Sequence, residues 1–226
     1  MLTFFKGMIC SMRFKRAIAV FALLLATCMT LCACSPEMRA RNSRYENAVV
    51  RYNNTFLLES SDSDFVFEKC DGGYSVKEYV GTNKNVVVPL YHNDVSVVSI
   101  SEFAFKDKDV NIVYVGGKVK KIENKSFYGC KLTKVVISKL VEEIGDYAFI
   151  NCNILKTIVV ESELKTIKSG VFSGCNHLKY FIVPKSVVSI SNNAFDDVPV
   201  DFCLKVYSGS YGEEFAKMNN LEYELI

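Results

Sequence analysis

Apolar residues recur along the C-terminal two-thirds of the chain at a fixed interval. Ile100, Ile122, Ile144, Ile167 and Ile190 are spaced 22, 22, 23 and 23 apart, and Phe105, Phe127, Phe149, Phe172 and Phe195 each follow five residues later. Cys130, Cys152 and Cys175 each follow a phenylalanine by three. The third unit reads Val141, Ile144, Ala148, Phe149, Cys152, Leu155, Ile158, Val160; the fourth reads Leu164, Ile167, Val171, Phe172, Cys175, Leu178, Phe181, Val183. Period-2 alternation predicts a strand in each unit, with Val113 and Val115, Val135 and Ile137, Ile158 and Val160, and Phe181 and Val183 facing inward. No such unit can bury its apolar side alone, so neighbours must stack. The pattern predicts a β-rich solenoid of about five 22–23-residue repeats around a parallel sheet, with strands about 4.8 Å apart.

The flanks have different patterns. Phe65, Val66 and Phe67 lead into Asp71-Gly72-Gly73 and then Tyr74, Val76, Tyr79 and Val86-Val87-Val88, which predicts a hairpin. An open solenoid edge needs covering, so residues 64–96 are expected to form an N-terminal β cap. The repeats occupy 97–199 and a C-terminal cap 200–226. Residues 34–63 are mostly polar and read as a tether, although Phe56-Leu57-Leu58 can pack on the solenoid end.

Residues 1–33 read as a leader. The basic cluster Arg13 to Arg16 precedes the apolar run 17–31, which is shorter than the roughly 20 residues that span a bilayer. Met12 is a plausible start on the shape of the basic region. Leu31-Cys32-Ala33-Cys34 resembles a bacterial lipobox. That resemblance implies a diacylglyceryl thioether on Cys34 and attachment to a membrane through acyl chains, each buried CH₂ contributing about 0.8 kcal/mol. Ser35 is not the aspartate that retains some lipoproteins at the inner membrane, so display on the outer face of the cell envelope is permitted. A retained transmembrane anchor and cleavage without lipid are the alternatives.

The repeat resembles the BspA-like subclass of bacterial leucine-rich repeats, through Ile144, Ala148, Phe149, Cys152, Leu155 and the pair Val183-Pro184. The resemblance covers about residues 64–226 and implies a right-handed superhelix. It also implies an ending of a final strand (Leu204 to Tyr207), a short helix (Ser210 to Lys217) and a last strand (Leu221 to Leu225). Lys108 and Val198 depart from it at the cysteine place, as end repeats often do.

Charge and cysteines narrow the chemistry. Without the four basic leader residues the balance is 23 basic against 25 acidic, so no global field draws the folded part to nucleic acid. Five cysteines remain beyond Cys34, an odd number, and Cys130, Cys152 and Cys175 project in parallel. That favours buried thiols over disulfides. With two histidines and no CxxC, no metal is expected. Gly116-Gly117 is a turn and not a phosphate loop. No catalytic residue and no cofactor are expected.

Parity assigns Tyr114, Val136, Val159 and Ile182 to the outward strand face, with Lys134, Thr157 and Tyr180 two places earlier. This apolar stripe is the candidate binding face, although β-branched residues also sit there for strand propensity alone. The leading reading is a lipid-anchored surface protein whose solenoid binds protein or glycan, as the resemblance implies for adhesion. A scaffold role within the envelope is the alternative. A hydrolase is disfavoured because no base, nucleophile and orienting group are visible.

Overall fold

Two open chain edges and a repeating apolar stripe leave one economical solution, in which each unit adds one rung to a stack. A computed structural model describes residues 49–52, 55–58 and 60–226; the expected leader, Cys34 and part of the expected tether lie outside the described residues. Strands β1 (Val49–Tyr52) and β2 (Thr55–Leu58) pair with each other, so the expected polar tether contains a two-stranded sheet. Strands β3 (Phe65–Cys70) and β4 (Gly73–Tyr79) form the expected antiparallel hairpin, turning at Gly72, whose φ of 83° suits glycine.

Two ladders rise from this cap. The first holds the long strands β5 (Asn85–Val87), β8 (Ile112–Val115), β10 (Lys134–Ile137) and β12 (Thr157–Val160), all parallel and in register. It resumes as β14 (Tyr180–Ile182), β16 (Cys203–Val206) and β17 (Tyr223–Leu225). The second begins with β3 and β4 and continues through β7 (Val95–Ile100), β9 (Lys121–Ile122) and β11 (Glu143–Ile144). It resumes as β13 (Thr166–Ile167) paired with β15 (Ser189–Ile190); a short β6 (Tyr91–His92) pairs with β7. Seven long strands make about seven turns, more than the five that the Ile–Phe ladder shows. β5 and β17 add rungs without carrying that signature.

The phenylalanines form one column. Ring centroids are 4.7 Å apart for Phe105–Phe127, 4.9 Å for Phe127–Phe149 and 5.8 Å for Phe149–Phe172. These distances approximate the spacing of parallel strands, so each ring stacks on the ring of the next turn. Tyr79 of the cap extends the column, 5.4 Å from Phe105, and its hydroxyl donates to the Asn83 carbonyl at 2.9 Å. Phe202 and Phe215 meet Phe195 at the far end.

Between those rings the backbone forms a third ladder. The N–H groups of Phe105, Phe127, Phe149 and Phe172 donate to Ser126, Ala148, Val171 and Ala194 of the following turn, at 2.8–3.0 Å. This ladder stays intact where the two strand ladders are interrupted, between β11 and β13 and between β12 and β14. Cohesion there also comes from Cys175, whose thiol donates to the Phe149 carbonyl at 3.3 Å.

Helix α1 (Tyr211–Met218) closes the C-terminal end. Ser210 caps it by accepting from the Glu213 N–H, and Glu213 reaches back to accept from the Gly209 N–H at 2.7 Å. Gly212, Phe215 and Ala216 of this helix are buried.

Candidate functional site

The outward face of the long strands follows from register. Val87, Tyr114, Val136 and Val159 align across β5, β8, β10 and β12, with Lys134 and Thr157 paired two residues earlier. Tyr180 and Ile182 hold the equivalent places on β14. Six of the seven predicted face residues reach solvent to some degree: Ile182 is exposed at 41 per cent, and Tyr114, Lys134, Thr157, Val159 and Tyr180 are half-buried. Val136 does not. It is 1 per cent exposed, which corrects the expectation of a continuous exposed stripe. Parity gives the direction of a side chain but not what lies over it.

Tyr114 lies along its own strand. A Cβ at Gly116 would stand 2.1 Å from Tyr114 Cε1, so glycine is needed beneath the ring. Burial pushes the Tyr114 phenol up, and the negative charge of Glu161 adds to the rise. Lys134 is engaged in an interaction of its own.

The face continues into the C-terminal cap, which the sequence reading missed. Cys203 and Lys205 pair with Tyr180 and Ile182, and Glu224 pairs with Lys205. The Lys205 ammonium sits 5.3 Å above the Tyr180 ring and 2.8 Å from Glu224. Burial raises the Cys203 thiol pKa, with Glu224 reinforcing it. Extending the parity beyond Ile190 to the 23-residue homologues of Tyr180 and Ile182 finds these residues.

A second patch was also missed. Phe103 is 40 per cent exposed and packs edge-on to Tyr128, while the Lys106 ammonium lies 5.4 Å and 5.7 Å from those two rings. Phe103 and Tyr147 have φ of 61° and 58°, a left-handed conformation costly for a bulky side chain; the equivalent Gly170 has 57°.

The buried thiols are structural. Cys130, Cys152 and Cys175 are free and fully buried, and each donates to a carbonyl of the preceding turn: Lys108, Phe127 and Phe149. Burial raises all three pKa values, that of Cys175 to about 12. Thiols held protonated in this way are poor nucleophiles. Cys70 is exposed and Cys203 half-buried, and both are free. Among the described residues no cluster of His, Cys, Asp and Glu has a metal-binding arrangement, and no helix is long and apolar enough to cross a membrane.

One pair has the outline of a catalytic dyad. His92 Nδ1 lies 2.9 Å from Asp62 Oδ2. His92 Nε2, however, faces the Asn93 amide at 3.0 Å, and the ring stacks on Phe67 at 4.1 Å. With an amide where a nucleophile's hydroxyl or thiol would have to be, this pair fastens the start of the solenoid.

A stack of short parallel strands with one buried apolar column and loop ladders is the architecture of a leucine-rich repeat protein. Residues 91–201 match the family described as BspA type leucine rich repeat region, in six copies. Among solved structures, a leucine-rich repeat protein of T. pallidum is similar, with 28% identity and a TM-score of 0.61, over 65% of this chain and 71% of that one. One from Eubacterium ventriosum shares the fold at 21% identity and a TM-score of 0.52; the match spans 70% of this chain but only 44% of that protein. No curated protein matches.

Proposed function

We propose that this chain is a non-catalytic binding module displayed on the outer face of a bacterial envelope, held by lipid on Cys34, and that it recognises protein or glycan through its outer strand face. The observation that carries this reading is the contrast within each strand. Inward positions repeat Val, Ile and Phe at nearly every turn, whereas outward positions change from Tyr114 to Val159 to Tyr180 and Ile182 on an unchanged backbone. A rigid scaffold with varied residues on one face suits recognition more than catalysis.

The test of recognition is capture on immobilised protein from host extracts and on arrays of purified glycans. A ligand retained by the wild type and lost with Tyr180→Ala/Ile182→Lys, yet kept with Val188→Lys, supports the outer face. Val188 is exposed at 64 per cent and lies away from the long strands. Retention by both variants sinks it. Anchoring is tested separately. Cys34→Ala should move the protein from the membrane to the soluble fraction, and unchanged membrane retention removes the lipid from the account. Digestion by protease added to intact cells supports surface display, while protection favours a scaffold inside the envelope.

A further inference from the structure

The bonds that join one turn to the next are unevenly spread along the stack. β10 pairs with both β8 and β12, and β14 pairs with β16, but β12 and β14 belong to separate sheets, and so do β11 and β13. Both interruptions fall at one level, between the turn of Phe149 and the turn of Phe172. The Cys203 N–H donates to the Lys179 carbonyl at 2.9 Å; among the described residues no backbone bond joins Tyr180 to Lys156, the equivalent pair one turn earlier. The core is looser at the same level. Ring centroids in the phenylalanine column move from 4.9 Å apart for Phe127–Phe149 to 5.8 Å for Phe149–Phe172. Val160 points inward yet is only half-buried, whereas Val115, Ile137, Val183 and Val206 at the equivalent place are at most 1 per cent exposed.

The backbone bonds that do cross this level lie on the loop side. The N–H groups of Tyr147, Phe149 and Asn151 donate to the Ser169, Val171 and Ser173 carbonyls at 2.8–3.0 Å. The Ser169 N–H donates to Asp146 Oδ1 at 3.0 Å. Between β11 and β13 an ion pair stands in place of backbone bonds: the Lys168 ammonium meets the Glu143 carboxylate across the gap. Both side chains are partly open to water, so this pair is weak and readily broken. In a solenoid each turn touches only its neighbours, so one weak level divides the whole stack.

We propose that this level is a hinge. The stack from β3 to β12 and the stack from β13 to α1 rotate about the loop ladder of Tyr147, Phe149 and Asn151 and open between β12 and β14, with Glu143 and Lys168 as the latch. Val159 and Ile182 stand on opposite sides of the opening. Flexing therefore changes the spacing of the two halves of the outer face and fits it to partners of different curvature. The hinge stands on the bonds and the burial; only this consequence for a partner rests on the recognition role proposed above.

The test is thiol labelling of the full chain in a Cys70→Ser/Cys203→Ser background, with N-ethylmaleimide as probe and mass spectrometry to assign the sites. Ile158→Cys should label at least about tenfold faster than Val135→Cys, its equivalent one turn earlier, while the buried Cys152 and Cys175 on the hinge side stay unlabelled. Lys168→Ala should raise the Ile158→Cys rate about threefold and leave the Val135→Cys rate unchanged. Equal rates for Ile158→Cys and Val135→Cys overturn the hinge. Labelling of Cys175 in step with Ile158→Cys also overturns it, because the C-terminal turns then unfold as a whole. An Ile158→Cys rate unaffected by Lys168→Ala overturns the latch. Should either cysteine variant fail to fold, residue-resolved amide exchange on the unaltered chain decides. A Tyr180 amide that exchanges at least about tenfold faster than that of Cys203, with Phe149 as protected as Phe127, supports the hinge. Equal exchange at Tyr180 and Cys203, or exchange at Phe149 as fast as at Tyr180, overturns it. Neither measurement involves a partner, so failure of the hinge and failure of the recognition reading are told apart.

Discussion

The inward and outward positions of the same strands obey different rules. Val135 and Val136 are neighbours on β10 and both are buried, yet one belongs to a column that repeats through the molecule and the other to a face that changes from turn to turn. The inward side is fixed by packing against the turn above and below, so its residue types recur with the period. The outward side lies outside that packed column, so its residue types are free to change from turn to turn. The seam is therefore architecture, and the face is where this chain can differ from other proteins of the same fold.

The largest test of that division is in the seam. Phe149 is fully buried and stacked on both sides by Phe127 and Phe172. Phe149→Ala should cost roughly 3–5 kcal/mol in chemical denaturation, from lost transfer energy and the cavity left behind. It also removes the stacking that spans the interrupted strand ladders, so the loss should lie toward the upper end. A near-wild-type unfolding midpoint would show that the column does not carry the stack.

The thiols test whether the seam is dry along its length. Burial raises the folded-state pKa of Cys130, Cys152 and Cys175; for Cys175 the rise is from the ordinary 9.0 to about 12. A raised folded pKa favours the protonated form in the native state. The associated stability is fully present below pH 9.0, and for Cys175 it is lost as pH rises toward about 12. The urea midpoint should hold steady near neutral pH and fall above about pH 9. That alkaline fall should be smaller in a variant with the three cysteines changed to alanine, and an equal fall in both would assign it to other groups. At neutral pH, Cys70 and Cys203 should react with iodoacetamide and the three seam thiols should not.

Legibility in the sequence follows the same division. Every residue of the Ile–Phe–Cys column was visible, because stacking imposes its period on the chain. The cap residue Tyr79 was not seen as part of the column. It lies 26 residues before Phe105, where the first turn is longer than the repeat. The turn count was short for the same reason, since β5 and β17 stack without the signature residues. On the outer face, alternation gave the direction of all seven predicted side chains but not the burial of Val136. Left-handed Phe103 and Tyr147 were unreadable because nothing local distinguishes them from ordinary loop aromatics; only the homologous Gly170 hints at the conformation.

The smallest effect sharpens the comparison most, because it sets two outward residues against each other. Val136→Ser removes a fully buried apolar side chain and should cost roughly 1–3 kcal/mol. Ile182→Ser, at the same position two turns later, leaves a site already open to water and should stay within about 0.5 kcal/mol. If outward direction alone governed these positions, the two substitutions would cost the same.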